Sequence, residues 1–245
     1  MKTFKFAGFA CASVLSTALL SACGGGGGSD SNTTTAAGTG TTAQQTVTTF
    51  PLQAAYKTRV ASGSTDSFNV SGTCTGTATT SSSVPSGATF DGAAALSVAS
   101  TITINYSNCT PASNASTSNV YYDSNYNLLG HFTPGVEYGK FATTPATLPT
   151  SVKVGDTAVY GTETIYTDSS KQTTKGQRTL SYVVEADGPS TAILNLITKD
   201  VNASNQLLFT QQTKFRISAD GALKVVSIDI QYSTTSTNHL VLTAK

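Results

Sequence analysis

The sequence predicts an all-β protein whose antiparallel strands form a meander, a sandwich or a half-barrel, arranged as two β lobes after a disordered tether. Three observations support this fold class. The chain of 245 residues contains 30 Ser and 43 Thr, and only 11% of its residues are charged. This composition is rich in β-branched Thr and poor in helix-favouring residues, which argues against helical bundles and coiled coils. The other two observations are a period-two alternation of apolar and polar residues and turn sequences between the alternating segments.

Residues 1–22 have the features of a secretory signal peptide. Lys2 and Lys5 give a positively charged start, and an apolar run follows from Phe6 to Leu20. A run of about 15 residues is too short to cross a bilayer core comfortably, which takes about 20 residues. The run ends in the tetrapeptide Leu20-Ser21-Ala22-Cys23.

This tetrapeptide resembles the lipobox of bacterial lipoproteins. The resemblance implies that the Cys23 thiol receives a diacylglycerol, that the chain is cut just before Cys23, and that the new amine is acylated, for example with palmitate. Several acyl chains on one residue are sufficient for stable anchoring in a bilayer. Gly24 follows Cys23, and the lack of Asp at that position favours the outer membrane of a Gram-negative bacterium. The alternatives are an ordinary signal peptide with an incidental Cys23 and a Gram-positive host with a single membrane.

Residues 23–49 are predicted to be the tether that begins with the lipidated Cys23. Residues 24–28 are five consecutive glycines, and residues 29–49 are almost wholly Ser, Thr, Ala, Gly, Asn and Gln. A segment without apolar periodicity cannot offset its ordering entropy, so we expect disorder here. A phosphate-binding glycine loop is not supported, because no strand precedes the glycines and no helix with a Lys follows. A flexible chain of this length reaches roughly 25–30 Å.

Residues 50–119 are predicted to form an N-terminal β lobe. Apolar or small residues alternate with polar ones from Phe68 to Ala78 and again from Leu96 to Tyr106. Period two over more than eight residues indicates half-buried antiparallel strands. The Ser/Thr/Asn-rich residues 110–119 are predicted to be a connecting loop.

Residues 120–245 are predicted to form a C-terminal antiparallel meander lobe. Apolar segments flank turn sequences whose Asp, Asn and Gly residues tolerate positive φ, which is typical of hairpins. These turn sequences are Asp123-Ser124-Asn125, Asp187-Gly188-Pro189, Asn202-Ala203-Ser204-Asn205 and Asp220-Gly221. Residues 24–119 contain only five charged side chains, which supports a division near residue 119. The same shift in charge is also compatible with two faces of one sheet system.

The cysteines divide into three roles. Cys11 lies in the predicted leader, Cys23 is the predicted lipid site, and Cys74 and Cys109 remain as an even pair in an exported chain. Cys74 shares an inward strand face with Phe68, and the pair has neither a redox nor a zinc spacing. We therefore predict a structural Cys74–Cys109 disulfide.

The charge balance argues against a nucleic-acid partner. The formal net charge is +1, and removal of the leader with Lys2 and Lys5 would leave 12 basic and 13 acidic residues. Binding to a polyanion depends on clustered excess positive charge, which this chain lacks.

The sequence contains no recognisable catalytic motif. Its two histidines, His131 and His239, are predicted to be exposed strand residues, although convergence in space is possible. Residues 123–127 resemble the first half of a calcium loop, but Leu128 replaces the required Gly and Pro134 replaces the bidentate Glu. A polar hairpin tip explains them better, and no metal or cofactor site is predicted.

Neither the carboxylates nor the tyrosines show a spacing that defines a site. Glu163 and Glu185 are expected on solvated sheet faces, and neither they nor Glu137 have the spacing of paired catalytic acids, although strands could bring two together. A cluster of Tyr residues could stack on a sugar, but Tyr is also common on strand surfaces. The cluster consists of Tyr121, Tyr122, Tyr126 and Tyr138.

These observations predict a non-enzymatic lipoprotein of the bacterial cell envelope with a binding or structural role. Its partners would be the lipid bilayer, through acylated Cys23, and an unknown protein or apolar ligand. The alternative is a lipocalin-like carrier whose curved C-terminal sheet encloses an apolar ligand, and enzymatic activity is a third, less supported hypothesis. A hollow of a few hundred Å³ beside inward residues such as Leu180 and Ile228 would favour the carrier.

Overall fold

The computed structural model describes residues 46–143, 147–233 and 238–245, and β-strands account for most of them. One helix precedes thirteen strands. The elements are α1 (Leu52–Ser62), β1 (Ser64–Gly72), β2 (Gly76–Ser82), β3 (Ser86–Phe90), β4 (Ala93–Tyr106), β5 (Ser113–Tyr122), β6 (Leu128–Thr133), β7 (Glu137–Phe141), β8 (Thr157–Tyr166), β9 (Thr174–Gly188), β10 (Thr191–Asn202), β11 (Leu207–Ser218), β12 (Leu223–Tyr232) and β13 (His239–Ala244).

Twelve of these strands close into an antiparallel barrel. From β4 to β13 each strand pairs with the next, β1 pairs with both β13 and β2, and β2 completes the ring by pairing with β4. The remaining strand, β3, pairs with β4 just beyond β2, so β2 and β3 occupy successive stretches of the same edge of β4. The predicted all-β antiparallel class is confirmed, and the sheet curves until it closes completely.

The predicted division near residue 119 falls within β5. Strands from both predicted lobes share one ring, since β4 pairs with β5 and β1 pairs with β13. The two predicted lobes are therefore parts of a single barrel. A shift in charge along the chain reports which strands carry charged side chains, but it contains no information about which strands pair.

The alternating segment from Phe68 to Ala78 is two strands and not one. Residues 73–75 form the turn of the β1–β2 hairpin, between Gly72 and Gly76. A Cβ atom on Gly76 would lie 1.9 Å from the Asn105 carbonyl oxygen, so the turn accepts no side chain there. The alternation continues through the turn because Cys74 is itself buried.

Residues 113–119 belong to β5, although the sequence predicts a loop there. Thr and Ser fit a strand when their hydroxyls find partners across the sheet. The hydroxyls of Thr101 and Thr117, which are paired residues of β4 and β5, lie 2.8 Å apart. Only the first residues of the predicted loop form a connection.

Helix α1 covers one end of the barrel, which we call the helix end. Its sequence, LQAAYKTRVAS, is rich in helix-favouring Leu, Ala, Gln, Lys and Arg, and it buries Leu52 and Ala55. Just before it, Phe50 and Val152 exchange two backbone hydrogen bonds of 2.7 and 2.9 Å, which fix the start of the helix. The helix was not predicted, because three turns have little weight in a composition dominated by Ser and Thr.

Apolar side chains fill both ends of the barrel. At the helix end, Phe50 and Leu52 pack with inward residues such as Leu180, Leu194 and Ile217. The opposite end, which we call the disulfide end, is packed by a second cluster around Cys74, including Phe68, Ile104, Leu240 and Leu242. On the outer wall, Phe90 of β3 stacks on Tyr121 and Tyr138, with ring centroids 4.5 and 5.2 Å away.

Removing the disulfide should destabilise the barrel. Cys74 and Cys109 are bonded, as predicted, and are 35 residues apart in the chain. In the chain-entropy model a loop of this length is worth roughly 3–4 kcal/mol. Urea unfolding of the Cys74→Ser/Cys109→Ser double variant should show a loss of this size against the wild-type chain. An unchanged free energy of unfolding, or two titratable thiols in the wild-type barrel without reductant, would contradict the assignment.

Candidate functional site

Five ionisable side chains of β6–β10 meet inside the barrel, and we call them the ionic cluster. They are His131, Glu137, Glu163, Arg178 and Asp200. Strand register brings them together, since Arg178 of β9 is paired with Glu163 of β8 and with Asp200 of β10. His131, Glu163 and Arg178 have no exposed surface, and Glu137 and Asp200 are 5% exposed.

The Arg178 guanidinium lies at the centre of the ionic cluster. Its Nε and Nη2 atoms donate to the two carboxylate oxygens of Asp200, each over 2.7 Å. Nη2 also donates to Glu137 Oε1 over 2.9 Å. This side-on pairing with Asp200 uses the planar geometry of the guanidinium, which a Lys ammonium could not reproduce.

His131 lies between two carboxylates. Its Nε2 atom is 3.0 Å from Glu137 Oε1, and its Nδ1 atom is 3.3 Å from Glu163 Oε1. A protonated ring donates to both. Nε2 is also 3.0 Å from Arg178 Nη1, a contact that favours the neutral ring because Arg can only donate.

Gly139 makes room for the His131 ring on the inner face of β7. The two residues are paired across β6 and β7. A Cβ atom on Gly139 would lie 2.1 Å from His131 Cε1 and 2.4 Å from its Nδ1. The ring therefore occupies the space that any other residue at position 139 would fill.

The charge balance of the cluster favours a proton on His131. Burial by itself lowers the pKa of His131, but the Glu163 carboxylate and the hydrogen bonds that Glu137 and Glu163 accept from the ring outweigh burial and the opposing Arg178, so the pKa is raised. Burial raises the pKa of Glu137, yet Arg178 and His131 outweigh it and hold that pKa well below its usual range.

The pKa values of Asp200 and Arg178 are both raised, although the two side chains form an ion pair. Burial opposes the charge on Arg178, but Asp200 and Glu137 raise its pKa well above the usual value. Burial also raises the pKa of Asp200, and Arg178 only partly reverses this, because Glu137 and Glu163 repel the Asp200 charge. The Arg178 guanidinium faces three carboxylates, and the only further cation nearby in the described residues is the half-exposed Lys175 ammonium, 3.7 Å from Glu137 Oε2. This excess of negative charge is the physical reason for the raised pKa of His131.

The cluster has one polar atom without a partner. Glu163 Oε2 is buried and makes no hydrogen bond to another residue of the part that the structure describes. Nearby, the hydroxyls of Ser118 and Thr133 lie 2.7 Å apart, and Thr133 is paired with Glu137 across β6 and β7. All five side chains of the cluster are buried and bonded to one another, so its geometry suits the fixing of strand positions better than the admission of a substrate.

A small cavity lies between α1 and the inner wall of the barrel. Its volume is about 100 Å³. Residues of β1, β2, β4 and β5 form one wall, and residues of β10, β11 and β12 form the opposite wall. Three waters of bulk density occupy roughly 90 Å³, so the space suits a few waters or one small molecule.

The structure corrects the predicted exposure of two residues and agrees with the predicted position of two others. His131 and Glu163 were expected at the surface, yet both are fully buried because closure of the sheet turns their strand faces inward. His239 is exposed, as predicted, and its Nε2 is 3.0 Å from Asp229 Oδ1. Glu185 lies on the outer face, half-buried, with Lys214 Nζ 2.8 Å away.

The polar tip at residues 123–127 and the tyrosines also have structural explanations. Asp123 accepts hydrogen bonds from the Asn125 and Asn127 backbone N–H groups over 2.8 and 2.9 Å, which closes the turn. Tyr122 points into the barrel, whereas Tyr121 and Tyr138 stack under Phe90, so the tyrosines do not form one platform.

The predicted lipid site cannot be placed. Cys23, the leader at residues 1–22 and most of the tether lie outside the described residues, so these interpretations stay predictions. None of the helices within the described ranges is long and apolar enough to cross a membrane. Among the same residues no group of His, Cys, Asp and Glu side chains is arranged to hold a metal ion.

Arg178 and Asp200 were not singled out from the sequence, although a signal for them exists. Arg178 has the same strand parity as the inward residues Leu180 and Tyr182, and Asp200 has that of Leu194. An ionisable residue in register with buried apolar neighbours predicts a buried charge that needs a partner.

Fold and cluster together define the class of protein: a closed twelve-stranded antiparallel barrel with a helix at one end and a charged network inside. Comparisons with protein-family models, with curated proteins and with solved structures found no match for this chain. Its function must therefore be argued from its own residues.

Placing a methyl group at position 139 should disrupt the ionic cluster. Gly139→Ala would force the His131 ring away from two carboxylates, and overpacking of this kind costs roughly 1–3 kcal/mol. Gly87→Ala is the matched control, because a Cβ atom on Gly87 has nothing within 4 Å. Thermal and urea unfolding should show a loss for Gly139→Ala alone, and equal stability of the two variants would contradict this role of Gly139.

The stability of the barrel should fall as the pH rises past neutrality. A raised His131 pKa means that its contribution is complete below about pH 6.5 and is lost as the pH rises through the folded-state value. Urea unfolding between pH 6 and 9 should reveal this slope in the wild-type chain. His131→Gln should flatten it, whereas His239→Gln, at an exposed position, should keep it; the same slope in both variants would disprove the role of His131.

Proposed function

We propose that this protein is a lipid-anchored protein of the bacterial cell envelope whose barrel is a non-enzymatic binding or structural module. Cys23 would carry the lipid, and the segment from Gly24 to the barrel would be the tether. The lipobox resemblance at residues 20–23 supports the anchor, and the Cys74–Cys109 disulfide fits an exported chain, because such bonds persist in oxidising compartments.

The observation that carries the proposed module is the filled interior of the barrel. Apolar clusters pack both ends, and the ionic cluster fills a further part of the interior along β6–β10. The cavity of about 100 Å³ is well below the roughly 300–1,000 Å³ of typical ligand pockets. A rigid barrel of this kind offers its outer wall and its turns to a macromolecular partner.

The position at which the proposed tether joins the barrel indicates which end of the barrel lies nearer to the membrane. The backbone N–H groups of Thr46 and Val47 donate to the Pro189 carbonyl oxygen over 2.8 and 3.0 Å, in the β9–β10 turn at the helix end. The disulfide end is therefore the end farther from the proposed anchor. We expect its turns, rather than α1, to face partners away from the membrane.

A lipid carrier would need a large apolar cavity inside the barrel. The inward residues Leu180, Tyr182 and Val184 are buried against other side chains at the helix end. Ile228 borders the cavity, which is too small for an acyl chain of a membrane lipid. We therefore favour a module that acts through its surface over an enclosed lipid carrier, and we place it at the outer membrane because Gly24 replaces the retention signal Asp.

Changing Cys23 should release the protein from the membrane. Cys23→Ala removes the only thiol that the lipobox would lipidate, so the chain should move from the membrane fraction to the soluble fraction of lysed cells. Cys11→Ala is the matched control, since Cys11 would be discarded with the leader. Intact mass of the wild-type protein should show the added diacylglycerol, and unchanged fractionation of Cys23→Ala would refute the anchor.

The Cys23→Ala variant also distinguishes the hypothesis of a surface-acting module from that of a lipid carrier. Native mass spectrometry of Cys23→Ala should give the mass of the polypeptide without bound lipid. A co-purified lipid that survives gentle desolvation would overturn the module in favour of the carrier, whatever the outcome for the anchor.

A further inference from the structure

The cavity beneath α1 has one polar wall. Ser64 of β1, Ser82 of β2 and Ser100 of β4 are paired in register and form a row across three adjacent strands. All three border the cavity. Paired residues on one face of a sheet are about 5 Å apart, so the row presents evenly spaced hydroxyls.

The hydroxyls of this serine row are available to a ligand. None of the three makes a side-chain hydrogen bond to another residue within the described parts of the chain. The next serine of the row, Ser118, is already paired with Thr133. Ser100 is 8% exposed, whereas Ser64 and Ser82 are half-buried, so water or a bound molecule can reach the row and form these hydrogen bonds.

The opposite wall of the cavity is mainly apolar. Leu196 of β10, Phe215 of β11 and Ile228 of β12 line it and are buried. Two polar residues of β11, Gln211 and Thr213, also line it, and the Gln211 side-chain amide donates to the Thr213 hydroxyl over 3.1 Å. The cavity therefore has one face that forms hydrogen bonds and one face that gains free energy by covering C–H or ring surface.

The charges at the cavity cancel. Arg59 of α1 and Asp66 of β1 form an ion pair with 2.5 Å between Nη2 and Oδ2, and the Arg59 guanidinium lies 5.0 Å from the Phe215 ring centroid. The side chains of Arg59 and Asp66 are 21% and 19% exposed, which places them at the mouth of the cavity. A closed ion pair favours an uncharged ligand, because a charged one would have to separate it.

We propose that this cavity binds a small uncharged molecule with a single six-membered ring and a hydroxyl group, such as a phenol or a cyclic alcohol. The hydroxyl would bond to the serine row, and the ring would lie against Leu196, Phe215 and Ile228. The cavity volume of about 100 Å³ is below the roughly 150 Å³ of an engineered apolar cavity that admits benzene. A single ring therefore fits by extending into the mouth beside Arg59 and Asp66, and one ring is the upper limit of size. This site depends on neither the lipid anchor nor the role of the module.

Phenol, benzene and glycerol test the two walls of the cavity separately, in the full chain carrying Cys23→Ala so that no acyl chain competes. NMR titration should show saturable phenol binding in the millimolar range or tighter, with amide shifts at β4 and β10–β12. Benzene lacks the hydroxyl and glycerol lacks the ring. Benzene should bind about threefold to tenfold more weakly than phenol, the factor that one hydrogen bond contributes. Glycerol should also bind more weakly than phenol, because it covers less of the apolar wall.

Variants of Ser100 locate the site. Ser100→Ala should weaken phenol about threefold to tenfold and leave benzene unchanged, and Ser100→Leu should abolish both by filling the cavity. Thr103→Ala, on the outer face of the same strand, should bind phenol as the parent chain does. No saturable phenol binding, equal affinity for benzene, or shifts elsewhere on the barrel would overturn the proposal. If Ser100→Leu does not fold, the comparison of phenol with benzene in Ser100→Ala still decides.

Discussion

The guanidinium of Arg178 imposes the constraint on which the barrel interior depends. A positive charge without solvent contact is tolerated only when anionic partners surround it, since an unpaired buried charge costs several kcal/mol. Asp200 and Glu137 meet this need, and together with Glu163 they bring an excess of negative charge that raises the pKa of His131. A register shift of any one of β6–β10 would separate buried charged groups from their partners, so the cluster favours the register that brings all five side chains together.

The remainder of the interior is arranged around that charged region. Aliphatic and aromatic clusters fill the two ends, where α1 and the Cys74–Cys109 disulfide limit access to water. Between the helix-end cluster and the serines of β1, β2 and β4, packing is incomplete and the small cavity remains. The barrel thus combines a packed scaffold with a restricted cavity, and this combination suits a surface-acting module with a small-molecule site better than a lipid carrier.

The two ends of the barrel have different chemical environments. The chain enters at the helix end, where Thr46 and Val47 are bonded to the β9–β10 turn. The disulfide end carries the turns near the ionic cluster, among them the β6–β7 turn, where the Lys175 ammonium donates to the Val136 carbonyl oxygen over 3.1 Å. A tether at one end leaves the other end free to meet partners, and the geometry of the proposed anchor follows from this separation.

The sequence by itself determined the all-β class, most hairpins and the disulfide pair, because alternation and turn chemistry are local properties of neighbouring residues. It also indicated the lipobox. Only the tertiary structure decided that β1 meets β13 and β2 meets β4, that His131 and Glu163 face inward, and that Arg178 and Asp200 join them. Strand parity fixes which side chains share a face, but which face becomes the interior depends on closure, and closure is set by pairing between residues far apart in the chain.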